Sequence, residues 1–250
     1  MKYLKIILLF IFFAVTGCSV YDSSNSTEIV STDNIRSLSN SSENEEVLKA
    51  NVIIYNNNYN SFLGIKYKEH NTYGSGFIYN SDDDYYYVLT NNHVVSYDYS
   101  YDNNEIVVED YFGNKYEAFV EYKDINYDLA VVRFEKKVDL KELIISDNEI
   151  NIMDSIKTMG NPDSNRNVIS EGTVSCFSSI DFNNDKSKVN FEVIVHNASI
   201  KGGSSGGALL NSRDEVIGVT FAGVFNKDGD FITGYAIPVN KINEFLSKYI

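Results

Sequence analysis

The sequence predicts an all-β domain, a barrel or sandwich, followed by a short C-terminal helix. Three observations carry this expectation. From about residue 48, short β-prone runs recur between clusters of Asn, Asp, Gly and Ser, the residues that turn a chain. The segment near residues 136–152 divides these runs into two sets. From Pro238 onward the apolar residues fall at helical spacing instead.

The first set comprises Val52–Tyr55, Phe62–Tyr67, Gly76–Tyr79, Tyr85–Thr90, Ile106–Val108, Tyr116–Glu121 and Leu129–Phe134. The second comprises Asn167–Ser170, Thr173–Phe177, Asn190–His196, Gly207–Leu210, Val216–Phe221 and Phe231–Ile237. Many short strands joined by polar turns bury their apolar faces by closing on one another. No solenoid-type repeat is visible. Pro238 fits the first turn of a helix, where its missing N–H costs nothing. Val239, Ile242, Phe245, Leu246 and Ile250 then share one face, so an amphipathic helix over 239–250 is expected to close the domain.

The N-terminus reads differently. Lys2 and Lys5 precede an unbroken apolar run, Ile6–Val15, too short for a comfortable membrane span. It ends in Val15-Thr16-Gly17-Cys18, which resembles the bacterial lipobox. Residues 1–17 are therefore expected to be a lipoprotein signal peptide, with Cys18 the lipid-modified first residue of the mature protein. Ordinary cleavage nearby and an uncleaved anchor are the alternatives. Residues 18–47, rich in Ser, Asn, Asp and Glu, lack the apolar surface needed to fold and read as a disordered polar tether. The expected location is outside the cytoplasm, anchored to the bacterial cell membrane.

The net charge of −14 argues against a nucleic-acid partner, and loss of the two signal-peptide lysines lowers it to −16. If Cys18 carries lipid, Cys176 remains alone and no internal disulfide forms; a domain of about 200 residues is large enough to do without one. The alternating segment Gly172–Phe177 makes Cys176 a buried structural thiol rather than a nucleophile.

The chemistry concentrates in three places. Gly202-Gly203-Ser204-Ser205-Gly206-Gly207 sets serines among glycines just ahead of an apolar run. A serine hydroxyl attacks only when a base takes its proton and N–H donors await the resulting oxyanion. Leu89-Thr90-Asn91-Asn92-His93-Val94-Val95 offers a base, and Tyr127-Asp128-Leu129-Ala130-Val131-Val132 a carboxylate. Taken singly, these are an ordinary histidine, a turn aspartate and a flexible or phosphate-cradling loop. In the order His, Asp, Ser they point to acyl transfer, and specifically to proteolysis.

Together these segments resemble the trypsin-like serine proteases, the HtrA/Deg branch most closely, over about residues 74–250. Gly74-Ser75-Gly76-Phe77-Ile78 looks like the family's early strand motif, and Leu89–Val95 and Tyr127–Val132 match its histidine and aspartate motifs. Gly160-Asn161-Pro162, Ser170–Ser175, Gly203–Gly207 and Gly234–Pro238 follow its later ones. The resemblance implies a chymotrypsin-like fold of two antiparallel six-stranded barrels, at about 48–138 and 150–238, within a protease domain spanning 48–250. It implies a triad of His93, Asp128 and Ser205, with the N–H groups of Gly203 and Ser205 as oxyanion hole. Ser205 rather than Ser204 has the Gly-x-Ser-Gly-Gly frame. His70 and His196 are expected to be non-catalytic. No HExxH or paired Cys/His spacing suggests a metal, and no cofactor is implied.

Four departures from the family's patterns shape further expectations. Ser204 stands where digestive trypsins have the aspartate that pairs with a newly cut N-terminus, so no activation by trimming is expected. Ser199 replaces the aspartate that selects Arg and Lys. With Thr220, Phe221, Gly223 and Gly234 as the other pocket residues, the pocket is expected to take uncharged, aliphatic side chains. The given sequence stops at Ile250, straight after the helix, so an HtrA-like domain without a PDZ domain is expected. The loop near Asp163–Asn167 diverges from the family's glycine-rich form, which leaves oligomeric state open. The expected function is that of a lipid-anchored serine endopeptidase acting on proteins or peptides. The alternatives are a glutamyl endopeptidase and an inactive, protease-like binding or adhesion lipoprotein. An acyl hydrolase of the Gly-x-Ser-x-Gly type is disfavoured, because its chain order is Ser, acid, His.

Overall fold

Residues 42–148 and 150–249 are described by a computed structural model. Helix α1 (Ser42–Leu48) leads into β1 (Asn51–Phe62), β2 (Ile65–Ser81) and β3 (Tyr85–Thr90). A single-turn helix, α2 (Asn92–Val95), precedes β4 (Asn103–Glu109), β5 (Lys115–Asp124) and β6 (Leu129–Glu135). These six strands close into a barrel in the order β1-β2-β3-β6-β5-β4, every pair antiparallel. There follow β7 (Ser155–Gly160), β8 (Val168–Ser179), the small pair β9 (Phe182–Asn183) and β10 (Lys188–Val189), β11 (Glu192–His196), β12 (Ala208–Leu210), β13 (Val216–Phe225) and β14 (Phe231–Pro238). All but β9 and β10 close a second barrel, β11-β14-β13-β12-β7-β8, and helix α3 (Val239–Leu246) ends the fold. The fold is all-β, with two closed six-stranded antiparallel barrels.

Side-chain alternation explains the three cores. Ala130, Val132 and Phe134 of β6 point into the first barrel with Val52, Ile54 and Val88. Leu129 and Val131, on the opposite face of the same strand, join Phe77 and Leu89 in a seam shared with Met159, Ala208, Leu210 and Phe245. A strand buried on both faces reads as a continuous apolar run, which is why Leu129–Val132 has no polar alternation. Ile156, Val174, Ile194, Leu209, Ile217 and Ala236 fill the second barrel.

Several boundaries differ from those expected. Phe62–Tyr67 is not a strand of its own but the tip of the β1–β2 hairpin, with Phe62 paired to Ile65. The Asn-rich stretch before it lies inside β1. Asn56 donates to the carbonyls of Val94 and Ser96, and Asn58 and Asn104 donate to the Asn56 amide oxygen, so these amides are satisfied within the barrel wall. Strand β7 had no counterpart among the expected runs. Strand β8 runs continuously through Glu171-Gly172, and α3 stops at Leu246 with Pro238 as its N-cap. Helix α1 occupies the end of the segment read as a tether; its Val47 and Leu48 are buried in the seam. Cys176 is half-buried on β8 rather than fully enclosed. The expected signal peptide, Cys18 and the tether before residue 42 lie outside the described residues. Among the described residues no helix is long and apolar enough to cross a membrane.

Candidate active site

His93 rides on α2, whose Val94 and Val95 are buried in the first barrel. Those two anchors leave the His93 side chain 28% exposed. Asp128 sits just before β6 with φ +51, fully buried. A left-handed aspartate is tolerated where its surroundings fix it. Here Asn91 donates to the Asp128 carbonyl at 2.9 Å. The Asp128 carboxylate then holds His93 twice: Oδ1 accepts the backbone N–H at 3.0 Å, and Oδ2 lies 2.7 Å from ring Nδ1. A carboxylate only accepts, so Nδ1 carries a hydrogen, and in the neutral tautomer this selects the lone pair is on Nε2.

The Ser205 loop comes from the second barrel and is held by its carbonyls. Lys201 O accepts from Ser204 N, Gly202 O from Asp163 N, and Ser204 O from Gly207 N. Gly203 O accepts from Ser75 Oγ, and Ser205 O from Ser75 N, both at 2.7 Å. Every carbonyl from 201 to 205 thus has a donor. By contrast, no described protein atom accepts from the N–H of Gly203 or Ser205.

Two glycines are dictated by this closeness. A Cβ on Gly206, at φ +87, would lie 2.1 Å from the Ser75 carbonyl oxygen. One on Gly74 would meet Val94 Cγ2 at 2.7 Å and Ser205 O at 3.0 Å. Gly74 is therefore the point where the Ser205 backbone approaches the helix carrying His93. Ser205 Oγ itself donates to the Phe221 carbonyl at 3.4 Å, a long contact, and not to His93. The expected pocket residues separate into two groups. Ser199 and Thr220 line one small cavity with Thr158, Ser170 and Ser204. Gly223 pairs with Gly234 across β13 and β14, whereas the Phe221 side chain turns into the core between Phe182 and Tyr235. Among the described residues no group of three or more His, Cys, Asp or Glu gathers as metal ligands.

Motif reading missed Ser75, Asn161 and Asn91 as site-builders. Ser75 did carry a signal, a hydroxyl between two strand glycines, Gly74 and Gly76. His196, seen only as a strand end, proves fully buried against Gly234.

Two closed barrels, one presenting a carboxylate-held histidine and the other a glycine-set serine loop, define the chymotrypsin-like class of fold. The model of the trypsin-like peptidase domain matches residues 74–219, more than half of the chain. The chain belongs to this family. It is 31% identical over 179 residues to the periplasmic serine endoprotease DegP of Escherichia coli strain K12, covering 71% of this chain and 35% of that protein. It is 30% identical over 179 residues to a probable periplasmic serine endoprotease, DegP-like, of Buchnera aphidicola, covering 71% and 36%. Human serine protease HTRA4 matches at 30% over 177 residues, covering 70% and 34%. The chain thus spans about a third of the length of these relatives.

Proposed function

We propose that this protein is an exported serine endopeptidase, and that Ser205, His93 and Asp128 are its catalytic triad. In this reading the Ser205 side chain swings from the Phe221 carbonyl towards His93, and Nε2 takes its proton as Oγ attacks the scissile carbonyl. The N–H groups of Gly203 and Ser205 receive the oxyanion; losing one such donor costs about 3–4 kcal/mol of barrier. Protonated His93 then gives its proton to the leaving amine, and a water repeats the sequence on the acyl-enzyme. Asp128 fixes the tautomer throughout. The observation that carries the reading is the two-point grip of Asp128 on His93, which leaves Nε2 as the base.

The neutral side chains of Ser199 and Thr220, which offer no counter-charge to a buried cation, support a preference for uncharged side chains at the cleaved position; the cavity of about 10 Å³ beside them is the size of one water and is not itself the pocket. A peptide-library profile is expected to be dominated by uncharged residues; one dominated by Arg, Lys or Glu would overturn that preference. Export and anchoring through Cys18 rest on the N-terminal motif, and export also on the relatives named periplasmic. The central test is labelling with a fluorophosphonate probe beside digestion of an unfolded protein. Wild type should label and digest, and Ser205→Ala should do neither. Equal labelling of the two, or none with folded wild type, would favour a non-catalytic binding role.

A further inference from the structure

The geometry points to Ser75 as a positioning residue that holds the oxyanion hole open from the opposite barrel. This rests on the peptidase reading above and names a further part of the same site. Ser75 lies on β2 of the first barrel, fully buried, outside the His93–Asp128–Ser205 set. Its N–H donates to the Ser205 carbonyl and its hydroxyl to the Gly203 carbonyl, each at 2.7 Å. The same oxygen accepts from the Asn161 backbone N–H at 2.8 Å and from Asn161 Nδ2 at 3.2 Å. The Ser75 carbonyl is in turn held by Thr90 Oγ1 at 2.7 Å. The hydroxyl therefore uses its donor and both acceptor positions.

The consequence lies in what it grips. Gly203 is at φ +93, a conformation only glycine holds without strain, and glycine is free to leave it. Of the carbonyls from Lys201 to Ser205, four are held by backbone N–H groups, and that of Gly203 alone by a side chain. On the other side of Gly203, the Gly202 carbonyl is held by Asp163 N at 2.7 Å. The Gly202–Gly203 peptide carries the Gly203 N–H and the Gly203–Ser204 peptide sets the other torsion of Gly203, so Asp163 N and Ser75 Oγ restrain the glycine from its two sides. Without the Ser75 hydroxyl, the Gly203–Ser204 peptide keeps only the Ser204 N–H bond to Lys201 O, at 3.0 Å, and its half-buried carbonyl loses its donor. The cost then falls on the transition state, because the donors matter only when the oxyanion forms.

The test uses the full chain and compares wild type with Ser75→Ala and Ser75→Cys, measuring kcat and KM on a peptide amide and the rate of fluorophosphonate labelling. Circular dichroism confirms the fold of each. Ser75→Ala is expected to lower kcat and the labelling rate about 10- to 100-fold, short of the ~10²–10³ for outright loss of an oxyanion donor, with KM nearly unchanged. Ser75→Cys, nearly the same shape but a weaker donor, should fall between. If the alanine variant does not fold, the cysteine variant decides alone. An unchanged kcat in either folded variant, or a loss confined to KM, overturns the positioning role. Wild type that neither labels nor cleaves overturns the peptidase reading and this role with it.

Discussion

His196 shows what burial does to a single side chain. It lies inside the second barrel, where a Cβ on Gly234 would touch its ring at 2.3 Å, and neither ring nitrogen has a hydrogen-bond partner among the described residues. Burial pushes its pKa down from 6.5 to about 4; the Ala198 backbone opposes the shift without meeting hydrogen-bond geometry. The folded state therefore holds this ring neutral where the unfolded chain protonates it. Between pH 6.5 and about 4 the unfolded state binds more protons, so stability falls as the pH falls. The full effect is about 3 kcal/mol, reached near the lower limit. His196→Leu removes this contribution, so the difference between its urea midpoints at pH 7 and pH 4.5 should be smaller than that of wild type. Equal differences would show that His196 does not titrate with folding.

At the scale of elements, the sequence was most legible where chemistry and local pattern coincide. His93, Asp128 and Ser205 each sit beside an apolar strand run, and those runs are β3, β6 and β12. Reading failed where tertiary partners reversed a local preference. Asn56 and Asn58 look like turn residues but are buried strand residues, because neighbouring carbonyls and amides complete their hydrogen bonds. Strand β7, Ser155-Ile156-Lys157-Thr158, has weak alternation, and its Lys157 is satisfied by Asp214 at 2.7 Å, a partner no local window reveals. Ser75 escaped as a site-builder because its partners lie 86 and 128 residues away. The β1–β2 turn is the reverse case, a local choice that disagrees with its backbone. Leu63 has φ +49 and is 86% exposed, next to Gly64 at φ +79. A two-residue hairpin turn with both central residues at positive φ favours Asn followed by Gly. Leu63→Asn should therefore raise stability by about 1 kcal/mol, read as a higher urea midpoint. An unchanged or lower midpoint would mean that the leucine has apolar contacts that offset its backbone strain.

The whole molecule is tied together by its third core. Phe77, Leu89, Leu129 and Val131 from the first barrel share one cluster with Met159, Ala208, Leu210 and Ile237 from the second. Helix α3 leaves the second barrel and returns to the first: Phe245 packs on Tyr122 and Tyr127, and Lys248 just beyond it reaches Asp124 at 2.9 Å. Asn161, from the second barrel, donates to Val52 and accepts from Asn51 in the first. Neither barrel can lose its structure without exposing this shared surface, so unfolding should be one cooperative transition. With no tryptophan in the chain, tyrosine fluorescence and far-ultraviolet circular dichroism are the probes, and their urea midpoints should coincide. Phe245→Ala opens a cavity in the seam and should lower stability by about 3–5 kcal/mol, moving both midpoints together. Because His93 and Ser205 come from opposite barrels, the peptidase activity proposed here should disappear over the same urea range. Two separate transitions, with only one displaced by Phe245→Ala, would show instead that the barrels unfold independently and that the seam joins them without coupling them.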